Sequence, residues 1–109
     1  MSQAPTSFHE RRIIYMIRPK YLLEDVLRAL RKLGLEPSLR SEAGSWLITA
    51  EGPNCSVEIV LRSEEKVVRG LEVLGRIHIT ELTVSAEGPG DFIEALRYRL
   101  EVELLRCLG

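Results

Sequence analysis

Apolar and polar positions change period several times along the chain, and the changes mark out its elements. The strongest signal lies in residues 11–35. Arg12-Ile13-Ile14-Tyr15-Met16-Ile17-Arg18 is an apolar run with a charge at each end. Strand alternation puts Ile13, Tyr15 and Ile17 on one face and Ile14 and Met16 on the other. Apolar residues on both faces predict a central strand. Pro19 stops the run, and a helical repeat follows in residues 20–33. Leu22, Leu23, Val26, Leu27, Leu30 and Leu33 form its stripe, and Glu24, Asp25, Arg28, Arg31 and Lys32 hold the other face. Acids come early and bases late, as the helix dipole favours, and Glu24 stands one turn before Arg28. Gly34 is the expected left-handed C-cap, with Leu35 folding back beyond it. Val26, Leu27 and Leu30 are expected to be buried against Ile13, Tyr15 or Ile17.

A short strand and a turn at Glu42-Ala43-Gly44-Ser45 come next. Trp46-Leu47-Ile48-Thr49-Ala50 and residues 56–62 then read as two strands joined by the turn residues Glu51-Gly52-Pro53-Asn54, a hairpin with Val57, Ile59 and Leu61 inward. Ser63 is placed to cap a helix with Glu64 and Glu65 in its first turn. Val67, Val68, Leu71 and Leu74 would be its stripe. Gly70 inside that helix costs about 1 kcal/mol relative to Ala, so a strand is the alternative for residues 64–75. Residues 76–87 form a long strand with a phase fault: Ile77 and Ile79 alternate, then Leu82, Val84 and Ala86 continue on the other parity. A β-bulge near Thr80-Glu81 would bring both sets to one face. After Gly88-Pro89-Gly90, Asp91 reads as the N-cap of a helix over residues 92–108. That helix has one stripe of Ile93, Leu96, Leu100, Leu104 and Cys107 and a second of Tyr98, Val102 and Leu105, wider than a surface helix needs.

Residues 1–10 show no period and read as a flexible tail before a single domain, 11–109. The order β-α-β-β-α-β-α predicts an α+β fold: a ferredoxin-like βαββαβ antiparallel sheet with an additional C-terminal helix. Ile14, Met16 and Val60 are expected on the sheet face away from the first two helices.

Composition narrows the function classes. The apolar and charged fractions, 45% and 28%, are those of an ordinary globular chain. A formal net charge of −1 supplies no basic field for nucleic acid. Arg outnumbers Lys, a bias seen in some thermophile families. Cys55 and Cys107 lack the short spacing of a disulfide framework, which suggests thiols and a cytoplasmic setting. No run of 18 apolar residues is present, and the start of the sequence lacks a signal-peptide pattern.

Candidate chemistry is sparse. His78, Thr80 and Glu81 sit by the expected bulge, and a histidine with a carboxylate can form an acid–base pair. No nucleophile stands at a recognisable spacing, so no catalytic residue is assigned. Two histidines and two separated cysteines assign no metal site, and no cofactor is expected. Gly88-Pro89-Gly90 lacks the residues of a phosphate loop. The RNA-recognition signature is absent from residues 56–62. Arg11, Arg12, Arg18 and Lys20 remain the candidate anion or nucleic-acid contact.

One stretch, Ile17-Arg18-Pro19-Lys20-Tyr21-Leu22-Leu23-Glu24-Asp25-Val26 through Leu33-Gly34-Leu35, resembles the first strand and helix of ACT-type ligand-sensing domains. The resemblance implies βαββαβ order and a small effector, often an amino acid, bound between subunits. The family's Pro-Gly at the helix start is Pro19-Lys20 here. Surplus apolar surface favours a different reading: a small non-enzymatic interaction module that forms a homo-oligomer, with a dimer favoured, or docks on a partner protein. Its expected contacts are Tyr98, Val102, Leu105, Ile14 and Met16. A nucleic-acid-associated subunit and an ACT-like sensor are the alternatives.

Overall fold

The computed structural model of the chain describes residues 5–104. Its elements are β1 (Thr6–Tyr15), α1 (Pro19–Lys32), β2 (Ser38–Glu42), β3 (Ser45–Gly52), β4 (Cys55–Val67), β5 (Arg76–Gly88) and α2 (Gly90–Glu103), with a 3-10 turn at Glu72–Leu74 before β5. One antiparallel sheet has the order β1-β5-β4-β3-β2. The fold is therefore α+β with two helices, but it departs from the ferredoxin-like βαββαβ order. β2 to β5 run as a meander, and β1 returns beside β5.

The departure comes from residues 64–75. β4 continues through Glu64, Glu65 and Lys66 to Val67, and only the 3-10 turn, no α-helix, intervenes before β5. Gly70 and Gly75 have φ of 91° and 68°, values that a helix does not use. The Glu72 carboxylate accepts the Gly70 N–H at 3.0 Å and fixes a turn in place of a helix start. Ser63 is a strand residue and caps nothing.

The expected bulge is also absent. β5 keeps one register against β4, from Ser56 opposite Glu87 to Val67 opposite Arg76. It keeps another against β1, from Thr6 opposite Gly88 to Tyr15 opposite Ile79. Strict alternation then sends Thr80, Leu82, Val84 and Ala86 to the helix side and Ile77, Ile79 and Glu81 to the other. Both helices lie on the first side. The core there joins Leu22, Val26, Ala29 and Leu30 of α1 to Ile93, Leu96, Leu100 and the adjoining Leu104 of α2. Ile48, Ile59, Leu61, Leu82 and Val84 supply the sheet.

This alternation inverts the expected faces of the first strand. Ile14 is buried in the helix-side core, whereas Ile13 and Tyr15 are exposed on the open face. Val60 lies on that open face as expected. β1 begins at Thr6 and takes in residues 6–10, and it is an edge strand. In α1, Val26 and Leu30 are fully buried and Leu27 partly so. Asp25, expected on the wet face, is fully buried and accepts a hydrogen bond from Arg28 Nη1 at 3.1 Å.

Both helix ends follow local chemistry. Gly34 has φ of 82°, and the N–H groups of Gly34 and Leu35 bond the carbonyls of Arg31 and Leu30 at 2.9 and 3.1 Å. These are the two bonds of a Schellman cap. At α2, Pro89 rather than Asp91 is the N-cap. Asp91 Oδ1 accepts the Phe92 N–H at 2.9 Å from within the first turn. Gly88 is a packing residue: a Cβ there would lie 2.9 Å from both Cys55 Cβ and Phe92 Cδ2.

Leu30 is the sharpest probe of this core. Leu30→Ala is expected to cost roughly 2–5 kcal/mol in urea denaturation, from lost transfer energy and the cavity left behind.

Candidate functional site

The feature that stands out is a surface at the β1 edge. β1 pairs only with β5, so its other side is open among the described residues. α2 runs over β1 and β5. Its inward stripe of Ile93, Leu96 and Leu100 is buried. Two contacts tie its flank to β1: the Arg97 guanidinium lies 5.4 Å from the Phe8 ring centroid, and Arg12 donates a hydrogen bond to Glu101. Between helix and strand runs a shallow concavity lined by Phe8, His9, Glu10, Arg97, Tyr98 and Glu101. Tyr98 stands beside it, 61% exposed, with Arg99 5.5 Å from its ring centroid.

The charges on β1 are held in place. Arg12 Nε donates to Glu10 at 2.5 Å. Burial opposes the Arg12 charge, and the bonds to Glu10 and Glu101 outweigh it, so its affinity for the proton is raised. On the open face Arg11 Nη2 donates to Glu81 at 2.8 Å. That bond, with Arg62 nearby, holds the Glu81 carboxyl below its ordinary range. Next to it His9 Nδ1 and Ser85 Oγ are 3.0 Å apart.

The sequence-predicted sites fall differently. Tyr98 is exposed and Val102 partly so, while Leu105 lies outside the described residues, as does Cys107. Ile14 belongs to the core. Met16 is 60% exposed and, alone among the described non-glycine residues, has a positive φ, 68°. Arg11 and Arg12 are engaged by carboxylates and point to opposite faces. Arg18 and Lys20 are exposed at the start of α1, away from those partners, and the Lys20 ammonium lies 5.2 Å from the Tyr21 ring centroid. The structure therefore does not gather the four cations into one anion site.

His78, Thr80 and Glu81 are likewise separated. Thr80 is buried and donates to Ser63 Oγ at 3.0 Å. His78 shares the Thr80 side of the strand and lies 3.5 Å from Glu65. Glu81 faces the other way. Among the described residues no three His, Cys, Asp or Glu side chains are grouped to hold a metal ion. No described helix is long and apolar enough to cross a membrane.

Sequence reasoning missed Phe8, because Phe8, Glu10, Arg12 and Ile14 alternate without an apolar majority. It also missed an ion cluster between the helices. Glu103, only 7% exposed in its side chain, accepts from Lys32 Nζ at 2.5 Å and from Arg28 Nη1 at 3.2 Å. Arg28 also bonds Asp25. The one readable signal was the helical spacing of Asp25, Arg28 and Lys32.

Lys32 first, then Arg28, holds the Glu103 carboxyl below its ordinary value. A lowered folded-state value adds stability above the unfolded carboxylate range and loses it as pH falls through the folded value. Glu103→Gln is therefore expected to unfold more readily than the parent at neutral pH. The gap between them should close as acid protonates Glu103, as read from urea midpoints at stepped pH. No protein-family model matches the chain, and no curated protein matches it.

Proposed function

We propose that the chain is a non-enzymatic interaction module that works by associating with a second copy of itself. The observation that carries this reading is the juxtaposition of Tyr98, with its ring in solvent, and the unpaired edge of β1. A tyrosine is a large, stiff, amphipathic contact residue and is enriched among the residues that dominate interfaces. An open strand edge carries unpaired backbone donors and acceptors, which natural proteins normally cover or blunt. Here both features lie on one side of the molecule, with Phe8 and partly exposed Val102 close to them in the fold. The charged neighbours Glu94, Arg97 and Glu101 make a rim of mixed sign, suited to orientation and specificity more than to affinity.

The central strands of the sheet's open face offer no platform for nucleic acid. Its central strands carry Glu58, Arg62, Glu81, Thr83 and Ser85 between small or aliphatic side chains, with no aromatic residue on which a base could stack.

Light scattering at micromolar concentration is expected to give the mass of a dimer. Tyr98→Glu should raise the dissociation constant by roughly thirtyfold or more, the equivalent of about 2 kcal/mol for a central contact. Val73→Glu, at a 93% exposed site on the far β4–β5 turn, should leave the mass unchanged. A monomeric parent, or an oligomer indifferent to Tyr98→Glu, would overturn the reading.

A further inference from the structure

The hydrogen-bond phase of β1 decides which residues could meet a partner. One step beyond the Tyr15–Ile79 pair, Met16 lies opposite His78 and donates its N–H to the His78 carbonyl at 2.8 Å. Hydrogen-bonded pairs alternate with non-hydrogen-bonded pairs in an antiparallel ladder. Ile14, Arg12, Glu10 and Phe8 therefore turn their backbone groups toward β5. Ser7, His9, Arg11, Ile13 and Tyr15 turn theirs to the open edge.

We infer that this edge pairs antiparallel with β1 of a second copy, about a twofold axis at Arg11. The inference rests on the self-association reading and specifies its interface. Arg11 then lies opposite the partner's Arg11, His9 opposite the partner's Ile13, and Ser7 opposite the partner's Tyr15. All of these are residues whose backbone groups face outward, so the pairing satisfies about ten edge hydrogen bonds at two per hydrogen-bonded pair.

Each axis on a charged residue sets one like-charge pair on itself, and the axis at Arg11 is the one that also forms opposite-charge pairs. An axis at Glu10 would set Glu10 against the partner's Glu10, and an axis at Arg12 would set two Arg12 side chains together. Axes further along the strand shorten the pairing. With the axis at Arg11, Glu10 lies opposite the partner's Arg12, twice over. Phe8 lies opposite the partner's Ile14, also twice. These are the non-hydrogen-bonded pairs, whose Cα atoms approach to about 4.5 Å. The Arg11 side chains share the open face, but each already rests on its own Glu81 at 2.8 Å.

The helices fit the same axis. Strands lie about 4.8 Å apart. A helix seated over β1 and β5 therefore sits about 5 Å from an axis beside β1. The two α2 helices then run about 10 Å apart, a distance at which helices pack. Arg97 over Phe8 and Glu101 on Arg12 bracket Tyr98 along the strand, which brings Tyr98 close to the partner's Tyr98. The product is one ten-stranded sheet, twice the five strands of a single copy, with all four helices on one side.

Cross-linking and a charge exchange test the register. In a Cys55→Ser, Cys107→Ser background, Arg11→Cys is expected to form a disulfide dimer under mild oxidation. His9→Cys and Ile13→Cys alone should not, but a mixture of the two should. Separately, Glu10→Arg and Arg12→Glu should each weaken self-association, while their mixture forms a heterodimer at least about tenfold tighter than either variant alone. A dimeric parent sensitive to Tyr98→Glu but without this cross-linking and exchange pattern would overturn the β1 pairing and leave the module reading standing. A monomeric parent would overturn both.

Discussion

β5 is paired on both sides from Ile79 to Glu87, and that double ladder is the constraint from which the rest follows. With β1 and β4 each in unbroken register, no residue in that span can shift its face without breaking bonds on two sides. The phase fault in its sequence is therefore expressed as a change in which face of the sheet is apolar. From Leu82 to Ala86 the apolar side chains meet the helices. At Thr80 the pattern turns polar: its hydroxyl bonds Ser63 on β4 and closes the core. Beyond it His78 and Glu65 occupy the helix side, while Ile79, Tyr15 and Ile13 form the apolar side opposite. The β4–β5 hairpin thus runs on past the helices as an arm, and the molecule measures 58 × 25 × 20 Å.

The helices are fixed on the near part of that sheet by two kinds of contact. Leu22, Val26 and Leu30 of α1 and Ile93, Leu96 and Leu100 of α2 supply the nondirectional burial. Asp25, Arg28, Lys32 and Glu103 supply direction. Such clusters lose desolvation energy as they gain Coulomb energy, so they specify an arrangement more than they stabilise it. Here Arg28 and Lys32 of α1 both bond Glu103 and so tie the end of α2 to α1. Rotation matters because α2 carries apolar residues on more than one side: turning Leu96 and Leu100 inward leaves Tyr98 facing out toward the β1 edge.

Much of this fold was legible where local chemistry and period agreed. α1, its Gly34 cap, the β3–β4 hairpin and the inward stripe of α2 all follow from short-range signals. The errors arose where a side chain's face depends on a distant strand. Ile13 and Ile14 are equally apolar, and only pairing with Glu81 and Thr80 decides that Ile14 goes in. Residues 64–75 carry a cap-like Ser63 and a helical stripe, yet the positive-φ glycines and the continued pairing of β4 with β5 prevail. At the candidate site Tyr98 was readable from its spacing on α2. The β1 edge was not, because Phe8, Glu10 and Arg12 lack an apolar pattern and the strand's edge position is set by topology.

That mixed pattern on β1 bears on why an open edge is tolerable at all. A long edge strand with a uniformly apolar face would accept almost any extended segment. Glu10 and Arg12 lie two residues apart on the helix-side face, so an incoming strand must present the same charges in reverse order. An antiparallel copy of β1 centred on Arg11 does so. A copy shifted by one step in its axis loses both Glu10–Arg12 pairs and sets Glu10 or Arg12 against itself, and a neutral strand would cover two charges without replacing their solvation. The features that weakened β1 as a strand in the sequence are thus the ones that would make the proposed pairing selective.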